Sequence, residues 1–172
     1  MHENHQREQY FFAPPSIQAL ADLVEPFDSP CCLGTPTIAQ ELQRRGTASR
    51  LLEIDSRFSG RAGYRRWDLY RPEDTGEDYG CILCDPPFNT VRLSQLFTAL
   101  RVAARGRYRV PILLCHLAKR SLDIQATLAP FRLSPTELVL EYVSVKPTHE
   151  DRIILYSNFP IDAPQGTATP SR

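Results

Sequence analysis

The chain has 172 residues, 42% of them hydrophobic and 23% charged, which suits one domain able to bury a core without metals or disulfides and excludes wholesale disorder. Lys plus Arg and Asp plus Glu number 20 each, so no basic excess advertises a nucleic-acid partner. No apolar run approaches the roughly 20 residues that span a membrane, and residues 1–9 are polar without a signal-like hydrophobic region, which points to a cytoplasmic protein.

One domain is expected over residues 9–159, between flexible tails at 1–8 and 160–172, the second rich in Pro, Thr, Gly and Ser. Ser16 is placed to cap a helix whose apolar stripe is Ile17, Leu20, Leu23 and Val24, ending before Pro26. Cys31-Cys32-Leu33 reads as a short buried strand closed by Gly34. Pro36 then suits the first turn of a helix through Ile38, Ala39 and Leu42 to Gly46. Further strands are expected at 51–54, 64–69, 81–84 and 110–115, with helices over 93–104 and 118–128. Two closing strands, 138–145 and 153–156, are joined by a turn containing Pro147. The alternation predicts an α/β fold: a mostly parallel sheet with helices on both faces and an antiparallel hairpin at the end.

Asp85-Pro86-Pro87-Phe88 follows an apolar strand, which places it at the strand's carboxyl end, where open α/β sheets hold ligands. Its chemistry suits an exocyclic amine whose lone pair is delocalised into a ring. The Asp85 carboxylate and the Pro86 carbonyl can accept the two amino hydrogens and localise that lone pair, while proline adds no competing donor. Phe88 can stack on a planar substrate. The plainer reading of the same residues is a strand-terminal turn.

Asp85-Pro86-Pro87-Phe88 resembles the motif of the N6-adenine methyltransferase family, which reads Asp or Asn, Pro, Pro, then Tyr or Phe. Gln9-Tyr10-Phe11-Phe12 is similar to that family's N-terminal cofactor-side motif, and residues 52–58 to its second strand and acidic end. Within the family the chain resembles a compact branch that includes a ribosomal-RNA adenine methyltransferase and an elongation-factor lysine methyltransferase. That branch has a Cys-rich first strand, a Gly/Thr-Pro turn and a final strand like residues 152–159. The resemblance implies a Rossmann-like class I methyltransferase with seven strands, the last reversed, and S-adenosylmethionine as cofactor.

In that frame Gly34, Thr35 and Pro36 stand where the class usually has a glycine-rich loop, or form an ordinary strand-to-helix turn. Asp55 lies just past the second strand, where a carboxylate accepts ribose hydroxyl protons; Glu53 is the fallback. Asp68 is placed either to bond the cofactor adenine or to cap a turn. Tyr10, Phe11 and Phe12 either close over the cofactor or staple the first helix. His116 follows a strand end, and no Ser or Cys at triad spacing accompanies it.

No metal is expected. Cys81 and Cys84 point to opposite faces of an extended strand and lack a second ligand pair. The five cysteines, odd in number and set mostly in apolar runs, read as buried thiols. The expected partner is a nucleic acid, RNA favoured over DNA by the ribosomal-RNA resemblance and the lack of a target-recognition domain. The alternative is a lysine of a translation factor, and an accessory protein would help so small a chain reach its substrate. The arginine sets 57/61/65/66 and 101/105/107/109 favour nucleic acid if they face phosphate, or are solvated faces. An acidic rim at Glu73, Asp74, Glu77 and Asp78 would suit lysine.

Overall fold

The structure is a computed structural model that describes residues 3, 10–144, 148 and 151–161. Most of the two expected tails, the Pro147 turn and Val145 lie outside the described residues. Seven strands form one sheet, in chain order β1 (Cys31–Leu33), β2 (Arg50–Glu53), β3 (Tyr64–Arg66), β4 (Ile82–Cys84), β5 (Ile112–Leu117), β6 (Ser134–Leu140) and β7 (Ile153–Ser157). Their spatial order is β3-β2-β1-β4-β5-β7-β6. The first five are parallel, and β7 runs antiparallel to both β5 and β6.

The apolar strands are covered on both faces, as a parallel sheet requires. Cys31, Leu33, Ile82, Cys84, Ile112 and Leu114 point into one core layer, against helices α3 (Leu93–Ala103) and α4 (Ser121–Thr127). Cys32, Leu51, Cys81, Leu83, Leu113 and Cys115 point into the other, against α1 (Pro14–Val24) and α2 (Pro36–Arg44). Cys81 and Cys84 thus lie in opposite layers. No helix of the described residues is long and apolar enough to cross a membrane.

Three expectations are corrected. Ser16 does not cap α1. Pro14 and Pro15 set the backbone of the first turn, with Ala13 extended before them. Ser16 is instead buried inside the helix, its hydroxyl accepting the Glu141 N–H at 2.7 Å. The 118–128 helix is split by a tighter turn at Ala118–Arg120 ahead of α4. The strand expected at 138–145 begins at Ser134 and ends at Leu140, because an edge position tolerates Pro135 and a register shift between Pro135 and Val139.

Beyond β6 the chain stays extended enough to pair with the N-terminal segment. Ala13 N–H donates to Glu141 O at 2.8 Å, Val143 N–H to Phe11 O at 2.9 Å, and Phe12 faces Tyr142 across an antiparallel bridge. This seam holds residues 11–13 beside the carboxyl end of β4.

Candidate active site

The connections diverge between β1 and β4: β2 and β3 lie on one side of β1, and β4 and β5 on the other. Ligands of open α/β sheets sit in the crevice such a switch opens at the carboxyl ends. A cavity of about 470 Å³ occupies it. Its walls are Leu33 and Gly34 at the end of β1, Leu52, Glu53 and Ile54 at the end of β2, and Trp67 to Tyr70 after β3. Asp85, Pro86 and Pro87 after β4, with Thr90, Val91 and Tyr10, complete it.

Gly34 has a left-handed φ of +68°, and a Cβ there would meet the Asp85 carbonyl oxygen at 3.0 Å. Glycine therefore permits both the turn out of β1 and its close approach to the start of the 85–88 segment. Thr35 and Pro36 are buried at the start of α2 and are not among the cavity's walls.

Asp85 opens on the cavity. Burial pushes its carboxyl up to about 8, and a hydrogen bond from the Tyr142 hydroxyl, 2.8 Å from Oδ1, opposes that rise. Phe88 does not line the cavity. It packs 5.3 Å from the His116 ring and 6.4 Å, edge-on, from Tyr142. His116 is buried, and burial followed by the Arg120 charge lowers its pKa to about 4. Its Nδ1 accepts the Leu117 N–H at 2.8 Å, so it is a neutral packing residue at physiological pH.

The second strand places its two acids differently. Glu53 lines the cavity, whereas Asp55 does not. Asp55 caps a short turn at Ser56–Phe58, accepting the Arg57 backbone N–H at 2.9 Å and pairing with the Arg57 guanidinium at 2.6 Å. Asp68 caps a turn, accepting the Tyr70 N–H at 2.9 Å, and it also lines the cavity. Of the aromatic trio, Tyr10 lines the cavity, Phe11 packs against the α1/α2 core layer, and Phe12 is buried with its ring 4.6 Å from Tyr142.

The acidic residues and part of the second arginine set gather elsewhere. Arg105 pairs with Asp74 and Asp78, Arg107 with Asp78, and Arg50 with Glu77. Glu77 and Asp78 border a second cavity at the amino ends of the strands, so neither an acidic nor a basic rim built from these residues surrounds Asp85. Among the described residues no group of three or more His, Cys, Asp or Glu side chains is placed to hold a metal.

Tyr142, the residue nearest the chemistry that sequence reasoning missed, had a signal. Residues 138, 140 and 142 alternate with exposed neighbours, and that period carries the inward face of the strand expected at 138–145 through position 142.

A model of the family described as probable N6-adenine methyltransferase matches residues 3–161, which take in both core layers, the cavity and the 85–88 segment. The chain belongs to this family. No curated relative matches the methyltransferase by sequence. Solved structures share its fold. TrmN of Thermus thermophilus is 19% identical, with 81% of this chain covering 47% of that one at a TM-score of 0.53. The magnesium protoporphyrin IX methyltransferase of Synechocystis, with bound SAM, is 13% identical, with coverages of 83% and 78% and a TM-score of 0.57. The 16S rRNA N2 methyltransferase RsmC of Thermus thermophilus, in complex with AdoMet and guanosine, is 17% identical, with coverages of 87% and 40% and a TM-score of 0.50. The methyltransferase therefore spans about half the length of TrmN and less of RsmC.

Proposed function

We propose that this methyltransferase carries a methyl group from S-adenosylmethionine to the N6 amine of an adenine in RNA. The observation that carries the reading is the 85–88 segment at the carboxyl end of β4, where Asp85, Pro86 and Pro87 wall the cavity beside Gly34.

The cavity fits such a cofactor in size and chemistry. About 470 Å³ lies within the range of small-molecule sites. Gly34 keeps the backbone open where the methionine end would pass. Glu53 is the carboxylate for the ribose hydroxyls, Asp68 is the acceptor for the adenine amino group, and Trp67, Leu69 and Tyr70 supply apolar wall. When bound, the cofactor supplies the methyl group on a cationic sulfonium.

The protein's own part begins with Asp85. With a pKa near 8 it is mostly protonated at neutral pH, and a cation in the cavity favours its ionised form. Ionised Asp85 and the Pro86 carbonyl then accept the two amine hydrogens, leaving the nitrogen lone pair directed at the methyl carbon. As the N–C bond forms and the S–C bond breaks, one N–H proton leaves, and Asp85 is basic enough to receive it before it passes to water.

RNA is preferred over DNA for the likeness of the chain to the compact branch that includes a ribosomal-RNA adenine methyltransferase. A lysine acceptor finds less support, because Asp74, Glu77 and Asp78 pair with arginines at the far end of the sheet. The deciding experiment is transfer of tritium from labelled cofactor into fractionated RNA, DNA and protein from cells lacking this protein. Label in RNA, recovered as N6-methyladenosine, is the expected result. Label in protein lysine reassigns the substrate, and no label in any fraction sinks the proposal.

A further inference from the structure

We propose that Tyr142 is a positioning residue for the reaction, its hydroxyl holding Oδ1 of Asp85 so that the other carboxylate oxygen is presented to the amine. The inference rests on the reading of Asp85 as the amine acceptor.

The contact spans 57 residues of sequence, with the hydroxyl donating to Oδ1 at 2.8 Å. The Tyr142 residue is only 5% exposed. Its ring is held from two sides, by Phe12 with centroids 4.6 Å apart and by Phe88 edge-on at 6.4 Å. The backbone on either side is tied as well, since Glu141 O and Val143 N–H bond to the 11–13 segment. A phenol so held cannot swing away from the carboxyl, and Phe88, the last residue of the motif, packs on the same ring that fixes the first.

The hydroxyl is also the one side-chain donor to Asp85 among the described residues. Among the described residues, the other titratable groups near this contact are Cys84 on β4 and Cys115 on β5, with His116 behind the Phe88 ring, while Tyr10, Glu53 and Asp68 line the same cavity as Asp85. None is cationic at neutral pH: burial keeps both thiols protonated and uncharged and His116 neutral. Among the described residues, a carboxylate here thus depends on the phenol for side-chain stabilisation.

The test is Tyr142→Phe, which keeps the ring and removes the donor. Three readouts are needed: the Asp85 carboxyl titration by carbon NMR, turnover against pH, and cofactor affinity. The carboxyl should titrate about one to two pH units higher in the variant, the size of a lost charge-assisted hydrogen bond. The acid limb of turnover should move up with it, while cofactor affinity changes less than about threefold. Phe12→Leu keeps the hydroxyl but frees one side of the ring, and should shift both profiles the same way by a smaller amount. A carboxyl titration unchanged in both variants overturns the inference and leaves the role of Asp85 intact. A shifted carboxyl with an unmoved turnover limb instead refutes Asp85 as the amine acceptor, and the positioning role falls with it.

Discussion

Replacing Asp85 with Asn keeps the side chain's shape and removes its titration, so the variant isolates what this carboxyl does to stability. In the folded protein it ionises near pH 8, against 3.8 for an ordinary aspartate. A carboxyl raised by folding binds its proton more tightly in the native state. Its favourable contribution is therefore complete below about pH 4 and is lost as pH climbs towards 8. The full difference, at 1.36 kcal/mol per pH unit, would be roughly 5–6 kcal/mol. Because Asp85 opens on the cavity, water screens part of it, and about 2–3 kcal/mol is the better expectation. For a domain of this length that is roughly 4–12 °C in Tm. Calorimetric or urea melts at pH 4, 6 and 8.5 should show wild type and Asp85→Asn nearly coincident at pH 4, with the variant increasingly the more stable above it. Parallel stability profiles, or a variant weaker at pH 8.5, would refute the claim that burial controls this carboxyl.

Asp85→Ala, which removes the carboxylate and leaves the Pro86 carbonyl, should cut turnover at least about 100-fold with cofactor affinity nearly intact; near-normal turnover on the identified substrate rules out the amine-acceptor mechanism. Glu53→Gln should weaken cofactor binding by about 1.5–3 kcal/mol in calorimetry, whereas Asp55→Ala should change it little. The opposite ranking would return the ribose role to Asp55. Phe88→Ala should weaken an RNA substrate by about 1–3 kcal/mol if the ring stacks on a base, and much less if the acceptor is an aliphatic lysine. Equilibrium binding to both substrate types separates the two.

The sheet was legible where burial on both faces left unbroken apolar runs, as in Cys31-Cys32-Leu33 and Ile82-Leu83-Cys84, whose neighbours are all buried strands. Position at the carboxyl end of β4 follows from the same kind of apolar run, which makes the 85–88 segment legible from sequence alone. The β6 edge was not legible at its start, because Ser134, Pro135 and Glu137 face solvent and carry no apolar period. The ribose carboxylate shifted by two residues for a local reason. β2 stops at Glu53, and the turn at Ser56–Phe58 draws Asp55 into a cap and an ion pair that no linear pattern announces. Tyr142 was missed because its partner lies 57 residues away, so its role exists only once β7 and β5 bring the two segments together.

The five cysteines of the sheet give the protein a built-in gauge of its own opening. All are buried, with thiols raised to about 12 at Cys32 and Cys81 and well above the usual range at Cys31, Cys84 and Cys115. Alkylating reagents attack thiolates in contact with water, so the closed molecule is silent to them. Cys31, Cys32, Cys84 and Cys115 lie on β1, β4 and β5, and Cys81 immediately precedes β4. Modification therefore registers separation of the central strands and passes over fraying at either end, so labelling rates timed with and without cofactor would read how far a ligand at the sheet's carboxyl edge restrains the whole core.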